Sequence, residues 1–295
     1  MSLKQVEDYW DKNLCGSHFI DTDYLSTKFF DDYRTLRYEK THHLDIYIDW
    51  ASSLEKDVLE IGLGVGADGT RWAKYAKSYT GVDLTNEAVN ATKKHFELLG
   101  LKGNVKKGNA EKLDLKDNSF DIVYSHGVLH HTPNINSTFQ EVSRVLKHEG
   151  EFILMVYSKG SFNWWIRIQI YFRLRLIWKI FTSKISRIIS NKKSLEENSS
   201  TLSLWDSHYN NFKKIGWSYL SWKNFPHRCT DGPDCEIANA YYEKEIIKIL
   251  KQNNLIAHKV KKAHFPISGR FPKLERFFAR FIGFHLLIWS KNEKI

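Results

Sequence analysis

Cysteine, proline and long apolar runs are all scarce in this chain. Its 3 Cys among 295 residues, Cys15, Cys229 and Cys235, form an odd and widely spaced set without a C-x-x-C. That set excludes a disulfide framework and is what a reducing compartment leaves. Only 5 Pro beside 14% aromatic residues exclude a disordered or Pro-rich chain. No apolar run reaches the roughly eighteen residues of a spanning helix. The opening MSLKQVEDYWDKN has no apolar signal core. The expectation is a cytoplasmic protein, at most peripheral to a membrane.

Acidic residues are missing from one half. Residues 1–150 hold 19 Lys and Arg against 23 Asp and Glu, which leaves 25 against 11 for residues 151–295. The net charge of +10 therefore belongs to the second half. Such asymmetry asks for an anionic partner: a substrate, a lipid headgroup or nucleic acid.

What is present is an alternation of short apolar runs with helical periodicity. DVLEIG (57–62), YTGVDL (79–84), a stretch within 103–110, FDIVYS (120–125) and EFILMVY (151–157) read as strands. Segments 69–76, 86–100 and 135–147 read as helices between them. The rhythm breaks over 158–235, which is aromatic and basic, then resumes with a helix at 241–254 and strands near 256–265 and 284–290. The spacing predicts an α/β fold with a doubly wound, mostly parallel, seven-stranded Rossmann-like sheet and an inserted helical cap. The expected organisation is an N-terminal lid and cofactor-binding half (1–157), a basic aromatic helical cap (158–235), and the C-terminal part of the sheet domain (236–295).

The stretch VLEIGLGVGADG (58–69) carries the chemistry. Its glycines permit a sharp strand-to-helix turn with backbone N–H groups close to a ligand. Asp83, 21 positions after Gly62, sits where an acid holds ribose hydroxyls. Taken alone, this pair of features suits a nicotinamide dinucleotide or S-adenosylmethionine equally.

The ordered motifs favour the second. VLEIGLGVG, GVDLT (81–85), GNAEKLDL (108–115), FDIVYSHGVLHHTPN (120–134) and VLKHEGEFIL (145–154) resemble the class I S-adenosylmethionine-dependent methyltransferases, and within them the type 11 group that includes ubiquinone and menaquinone biosynthesis enzymes. His148 and Glu149 stand where that family often has Pro-Gly, and Asn109 where it commonly has Asp. The resemblance implies S-adenosylmethionine as cofactor. It assigns its contacts to Glu60, Gly62, Gly64, Asp83, Leu84, Asn109, Ala110, Ser125 and His126. Glu60 has a plainer alternative, a strand-end acid paired with Lys or Arg. Tyr9, Trp10, Arg37 and Tyr38 are candidates for a lid. Arg37 either pairs with the methionine carboxylate or is a surface residue near Asp31 and Asp32.

Methyl transfer to a hydroxyl or protonated amine requires a proton acceptor, and a histidine near neutrality suits it. His131 is the first candidate base and His130 the second; the alternative is that the pair merely orders its loop. No metal is expected, because no carboxylate or Cys lies at ligand spacing from the pair. The turn CTDGPDC (229–235) reads as a surface turn rather than a thiol site.

Between Lys159 and Lys193 stand nine basic residues and no acidic one. Ile170, Leu174, Ile177, Phe181, Ile185 and Ile188 form one helical stripe, with Arg173, Arg175, Lys179 and Arg187 off it. The stripe either packs over the sheet and roofs the acceptor pocket, the preferred reading, or rests on an anionic membrane. Trp164, Trp165, Trp205, Trp217 and Trp222 are candidates for an aromatic acceptor site. No RNA-reading motif accompanies the charge, so nucleic acid is not an expected partner. The function expected is methyl transfer, to oxygen by preference, on a small-molecule acceptor. The alternatives are an NAD-dependent oxidoreductase, or a non-catalytic membrane- or nucleic-acid-associated protein with a vestigial loop.

Overall fold

The computed structural model of the protein describes residues 2–189, 204–235, 237–266 and 272–294, with side chains omitted for 184–189 and 272. Ile185 and Ile188 of the stripe, Arg187 beside it, and Lys192 and Lys193 thus lie outside the described side chains.

Among the described residues eight strands make one sheet: β1 Asp57–Ile61, β2 Ser78–Asp83, β3 Asn104–Lys107, β4 Phe120–His126, β5 Leu146–Ser158, β6 Ala240–Tyr241, β7 Leu255–Ala263 and β8 His285–Asn292. The order is β3-β2-β1-β4-β5-β8-β7, with β6 paired to β5 off that path. The first five in that order are parallel, and β8 is antiparallel to both neighbours. The two-residue β6 is the eighth strand that seven-strand counting missed; Tyr241 was expected to start a helix. β5 is also longer than expected, pairing Leu146 with Phe120 across a register shift. In its turn Glu149 adopts φ 59°, a left-handed position that a glycine occupies more readily.

The helices are α1 Leu3–Lys12, α2 Thr27–Lys40, α3 His43–Tyr47, α4 Ala67–Tyr75, α5 Asn86–Leu98, α6 Ile135–Val145, α7 Arg173–Ile189, α8 Leu204–Ile215, α9 His227–Thr230, α10 Glu243–Gln252 and α11 Pro272–Ile282. Two apolar layers cover the sheet. One gathers Val58, Trp72, Tyr124 and Trp289, the other Leu59, Val123, Phe139 and Leu154. Successive central residues of β1 and β4, such as Val58 and Leu59 or Ile122 and Val123, point to opposite layers, so both faces there are apolar.

The cap is helical but is phased differently from the stripe expected of it. Residues Asn163–Phe172 form a π-helix that continues into α7. Its wider turn, bonded i to i+5, shifts the face that a 3.6-residue period would predict. Leu176 and Ile180 turn inward and pack with Tyr219 and Phe225. Ile170, Leu174 and Phe181 are 45%, 61% and 54% exposed, so the preferred packing role of the stripe is not what the fold uses. Arg173 donates to Leu220 O and Lys179 pairs with Asp206. Among the described residues, no helix is long and apolar enough to cross a membrane.

Candidate active site

The order of strands reverses between β1 and β4. Beyond the carboxyl ends of strands at such a point, open α/β sheets bind their ligands. A cavity of about 290 Å³ opens there, close to the lower end of ordinary ligand pockets at about 300 Å³. Its wall includes Glu60, Gly62, Gly64, Asp83, Leu84, Asn109, Ala110, His126 and His131, joined by Trp10 of α1 and Arg37 of α2.

The glycine loop is bare because its neighbours leave no room. Gly62 has φ 86°, and a Cβ there would run into the Val128 side chain. Gly66 caps α4 at φ 77°, where a Cβ would lie 2.9 Å from Thr92 Cγ2. Asp83 holds the loop's shape. Its Oδ2 accepts from Leu63 N at 2.7 Å and its Oδ1 from Thr85 N and Oγ1, both at 2.9 Å. Burial raises the Asp83 pKa and these donors oppose the rise. Oδ2, which accepts only from Leu63 N among these donors, keeps a lone pair for a ligand hydroxyl. A bare backbone cradle beside the half-buried Asp83 carboxylate fits the methionine and ribose parts of S-adenosylmethionine.

Glu60 pairs with neither Lys nor Arg. It is 2% exposed, and its Oε2 accepts from Tyr79 Oη at 2.5 Å. Burial, then the charge of Asp68, raises its pKa well above the ordinary carboxylate range. Arg37 is neither a surface residue nor next to Asp31, which pairs with Arg34 instead. Its guanidinium grips Asp68 through Nε at 2.8 Å and through Nη2. Tyr124 and Tyr38 also donate to Asp68, at 2.8 and 3.1 Å. Burial alone would raise the Asp68 pKa, but Arg37 overrides it and holds the group ionised. Sequence reading passed over Asp68 because it reads as an ordinary first-turn helix acid.

Ser125 is off the cavity wall, contrary to expectation. It is fully buried, and its Oγ donates to Ile61 O at 2.8 Å, because side chains alternate along β4. His126, on the other face, does reach the cavity. Burial, then Arg37, lowers its pKa to about 3. Asn109 lines the cavity while its Oδ1 accepts from Glu111 N at 2.9 Å.

The histidine pair divides. His130 is fully buried, away from the cavity, with a pKa pushed well down by burial and by His131. His131 lines the cavity, and its Nδ1 lies 2.5 Å from Ile237 O. A carbonyl can only accept, so Nδ1 carries the proton and Nε2 keeps its lone pair. That Nε2 lies 3.8 Å from Asp231 Oδ2, and neither atom has a hydrogen-bond partner among the described residues. Asp231 Oδ1 accepts from Tyr157 Oη at 2.8 Å, and Tyr9 Oη donates to the Asp231 carbonyl at 2.6 Å. The turn read as a surface feature therefore places a carboxylate in the cavity. Nothing in the sequence signals this, since Asp231 meets His131 only through folding.

The lid candidates Tyr9, Trp10 and Tyr38 all lie close to this region. Trp10 sets its ring 4.8 Å from that of His131, and Tyr38 is held through Asp68. Trp164, Trp165, Trp205, Trp217 and Trp222 are not on the cavity wall, and three of them are exposed. Two described groups bring ligand atoms within 4.8 Å: His43, His126 and His285, and His130, His131 and Asp231. Arg37 crowds the first at 3.4 Å from His126 Nδ1, which disfavours a cation there. The cysteines belong to neither group.

Comparison with known proteins bears on the same segment. Residues 59–154 match the family described as methyltransferase domain. The uncharacterized methyltransferase YcgJ of Bacillus subtilis is 34% identical over 102 residues, 34% of this chain and 40% of that protein. The ubiquinone/menaquinone biosynthesis C-methyltransferase UbiE of Rickettsia prowazekii is 33% identical over 123 residues, 39% and 50% of the two chains. A phthiotriol/phenolphthiotriol dimycocerosates methyltransferase of Mycobacterium tuberculosis is 33% identical over 115 residues, 37% and 42%. These matches thus span half or less of the relatives' own length. The fold extends further. The YcgJ crystal structure overlays at TM-score 0.50 and 17% identity, covering 86% of this chain and 100% of that one. An S-adenosylmethionine-dependent methyltransferase from Mesorhizobium loti gives TM-score 0.52 at 13% identity, covering 86% and 97%. The segment 59–154 that matches the methyltransferase domain family supplies Glu60, Gly62, Gly64, Asp83, Asn109 and His131 of the cavity wall.

Proposed function

We propose that the whole chain transfers a methyl group from S-adenosylmethionine to a small-molecule acceptor. One observation carries the reading: a single cavity joins the glycine loop and Asp83 to His131 and Asp231. When bound, S-adenosylmethionine supplies an already activated methyl group, so the protein's part is positioning and proton removal. Asp83 accepts from the ribose hydroxyls, and the backbone at Gly62 and Gly64 lies along the methionine. Leu84 covers the adenine, Asn109 and Ala110 meet its edge, and Glu60 and His126 complete the wall. Arg37 offers N–H groups not used by Asp68 to the methionine carboxylate.

His131 is the proposed base: it lines the cavity with an unprotonated Nε2, and Asp231, 3.8 Å from that atom, stabilises the cation formed when it takes a proton. His130, buried away from the cavity, orders the loop. No metal enters this step. A hydroxyl acceptor makes use of such a base. A carbon acceptor is the second reading, favoured by the C-methyltransferase name of the Rickettsia relative. The nicotinamide reading is not carried forward, because the matched family transfers methyl groups. The reducing setting proposed is the cytoplasm.

The cap also makes peripheral contact with an anionic membrane through residues 159–193, supported by exposed Trp165, Ile166, Ile170, Leu174, Trp178 and Phe181 on a basic helix. Two relatives named for quinone and dimycocerosate substrates agree with a lipid-linked acceptor.

Calorimetric titration with S-adenosylhomocysteine, and separately with NADH, tests the proposal. Micromolar binding of the first alone is expected. Binding of NADH alone overturns it.

A further inference from the structure

We infer that helix α11, Pro272–Ile282, is a membrane anchor that seats the protein on an anionic bilayer. Leu274, Phe277, Phe278 and Phe281 follow the i, i+3, i+4, i+7 spacing of an amphipathic stripe. In an ordinary surface helix that stripe faces the core. Here it faces outward, the four residues being 46%, 60%, 37% and 58% exposed. The inward face holds Ala279 and an acid, Glu275, only 1% exposed. Glu275 is fixed there, accepting from Phe265 N at 3.3 Å and lying 3.3 Å from His42 Nε2. The outward orientation is therefore locked by the helix's only acid. It leaves Lys273, Arg276 and Arg280 exposed on the helix.

An apolar stripe flanked by cations matches an anionic headgroup layer over hydrocarbon. The stripe offers only hydrocarbon surface, with no polar side chain to fix the register of a protein partner. At 11 residues the helix is about 16 Å long, so it lies in the interface rather than crossing a hydrocarbon core of about 30 Å. The surface is continuous with the cap. Phe278 packs on Phe265 at 5.4 Å, and Phe265 on Phe162 at 5.3 Å, at the root of the cap's exposed helix. The inference deepens the proposed cap contact and rests on it for the second half of the seat, while α11 binding can be read by itself.

The test is sedimentation of the full chain with phosphatidylcholine vesicles, with and without phosphatidylglycerol. Three proteins are compared: wild type, F277E/F281E, and the cap variant L174E/W178E. All four sites are exposed, so folding is preserved, and S-adenosylhomocysteine titration of each confirms it. Wild type is expected to bind the anionic vesicles. F277E/F281E is expected to lose about a hundredfold or more in partitioning, because two Phe side chains no longer bury in the bilayer, with cofactor affinity unchanged. Wild-type partitioning by F277E/F281E overturns the anchor, and the cap variant then reports the cap contact separately. Binding to neither vesicle overturns both contacts. If F277E/F281E instead turns an oligomer into a monomer without lipid, the stripe is a self-association surface and the anchor is overturned. Failure to bind S-adenosylhomocysteine while vesicle binding persists counts only against the methyltransferase reading.

Discussion

Gly62 shows how a single residue sets the cofactor loop. Its positive φ of 86° would cost an L residue about 1–2 kcal/mol, and Val128 occupies the space a Cβ would need. G62A should lower the melting temperature and abolish S-adenosylhomocysteine binding. G62A/V128A should recover only the steric part of the stability, because the backbone strain persists. A G62A protein that melts and binds as wild type would show that the loop relaxes freely. Gly62, Gly64 and Asp83 were legible in the sequence because strand, turn and acid are local and their spacing is fixed by one strand–helix–strand unit. Ser125 was misplaced because the motif gives its position but not which face of β4 it points to. Asp231 had no signal, since its meeting with His131 depends on the cap's path across about a hundred residues of chain.

Between elements, half-buried Arg37 pairs with buried Asp68 and ties α2 to α4 beside the cavity. Removing one partner of such a pair leaves an uncompensated charge and costs about 3–5 kcal/mol. R37M should show that loss in urea unfolding, and R37M/D68N should regain part of it. A loss for R37M below about 1 kcal/mol would mean that solvent reaches Asp68. The parallel strands were readable because buried strands are continuous apolar runs bounded by turns. The two-residue β6 was not, being too short to carry a period. The cap's stripe failed for a different reason: ten π-helical residues moved the inward face to Leu176 and Ile180. Amphipathic spacing in α11 was equally silent about direction, since the same stripe serves a core or a bilayer.

Across the whole molecule, buried histidines couple stability to pH. Burial, then neighbouring cations and histidines, lowers the pKa of His43 to about 2 and of His264 to about 4, and His126 falls to about 3. The unfolded chain titrates these groups near 6.5. Between about pH 4 and 6.5 it therefore binds more protons than the folded state, and stability rises with pH through that window. Each histidine should cost about 1.4 kcal/mol on moving from well above 6.5 to pH 5.5. Thermal melting should fall markedly between pH 7.5 and 5.5; an unchanged melting temperature would mean that the cluster protonates in place. The cavity itself is closed by distant parts of the chain. Tyr9 donates to the Asp231 carbonyl, and a Cβ at Gly232 would lie 2.8 Å from the Tyr9 hydroxyl. The insertion and the N-terminal helix are thus a matched set. A chimera that exchanges segment 158–235 for another insertion would inherit a new acceptor specificity only if residues 1–14 were exchanged with it.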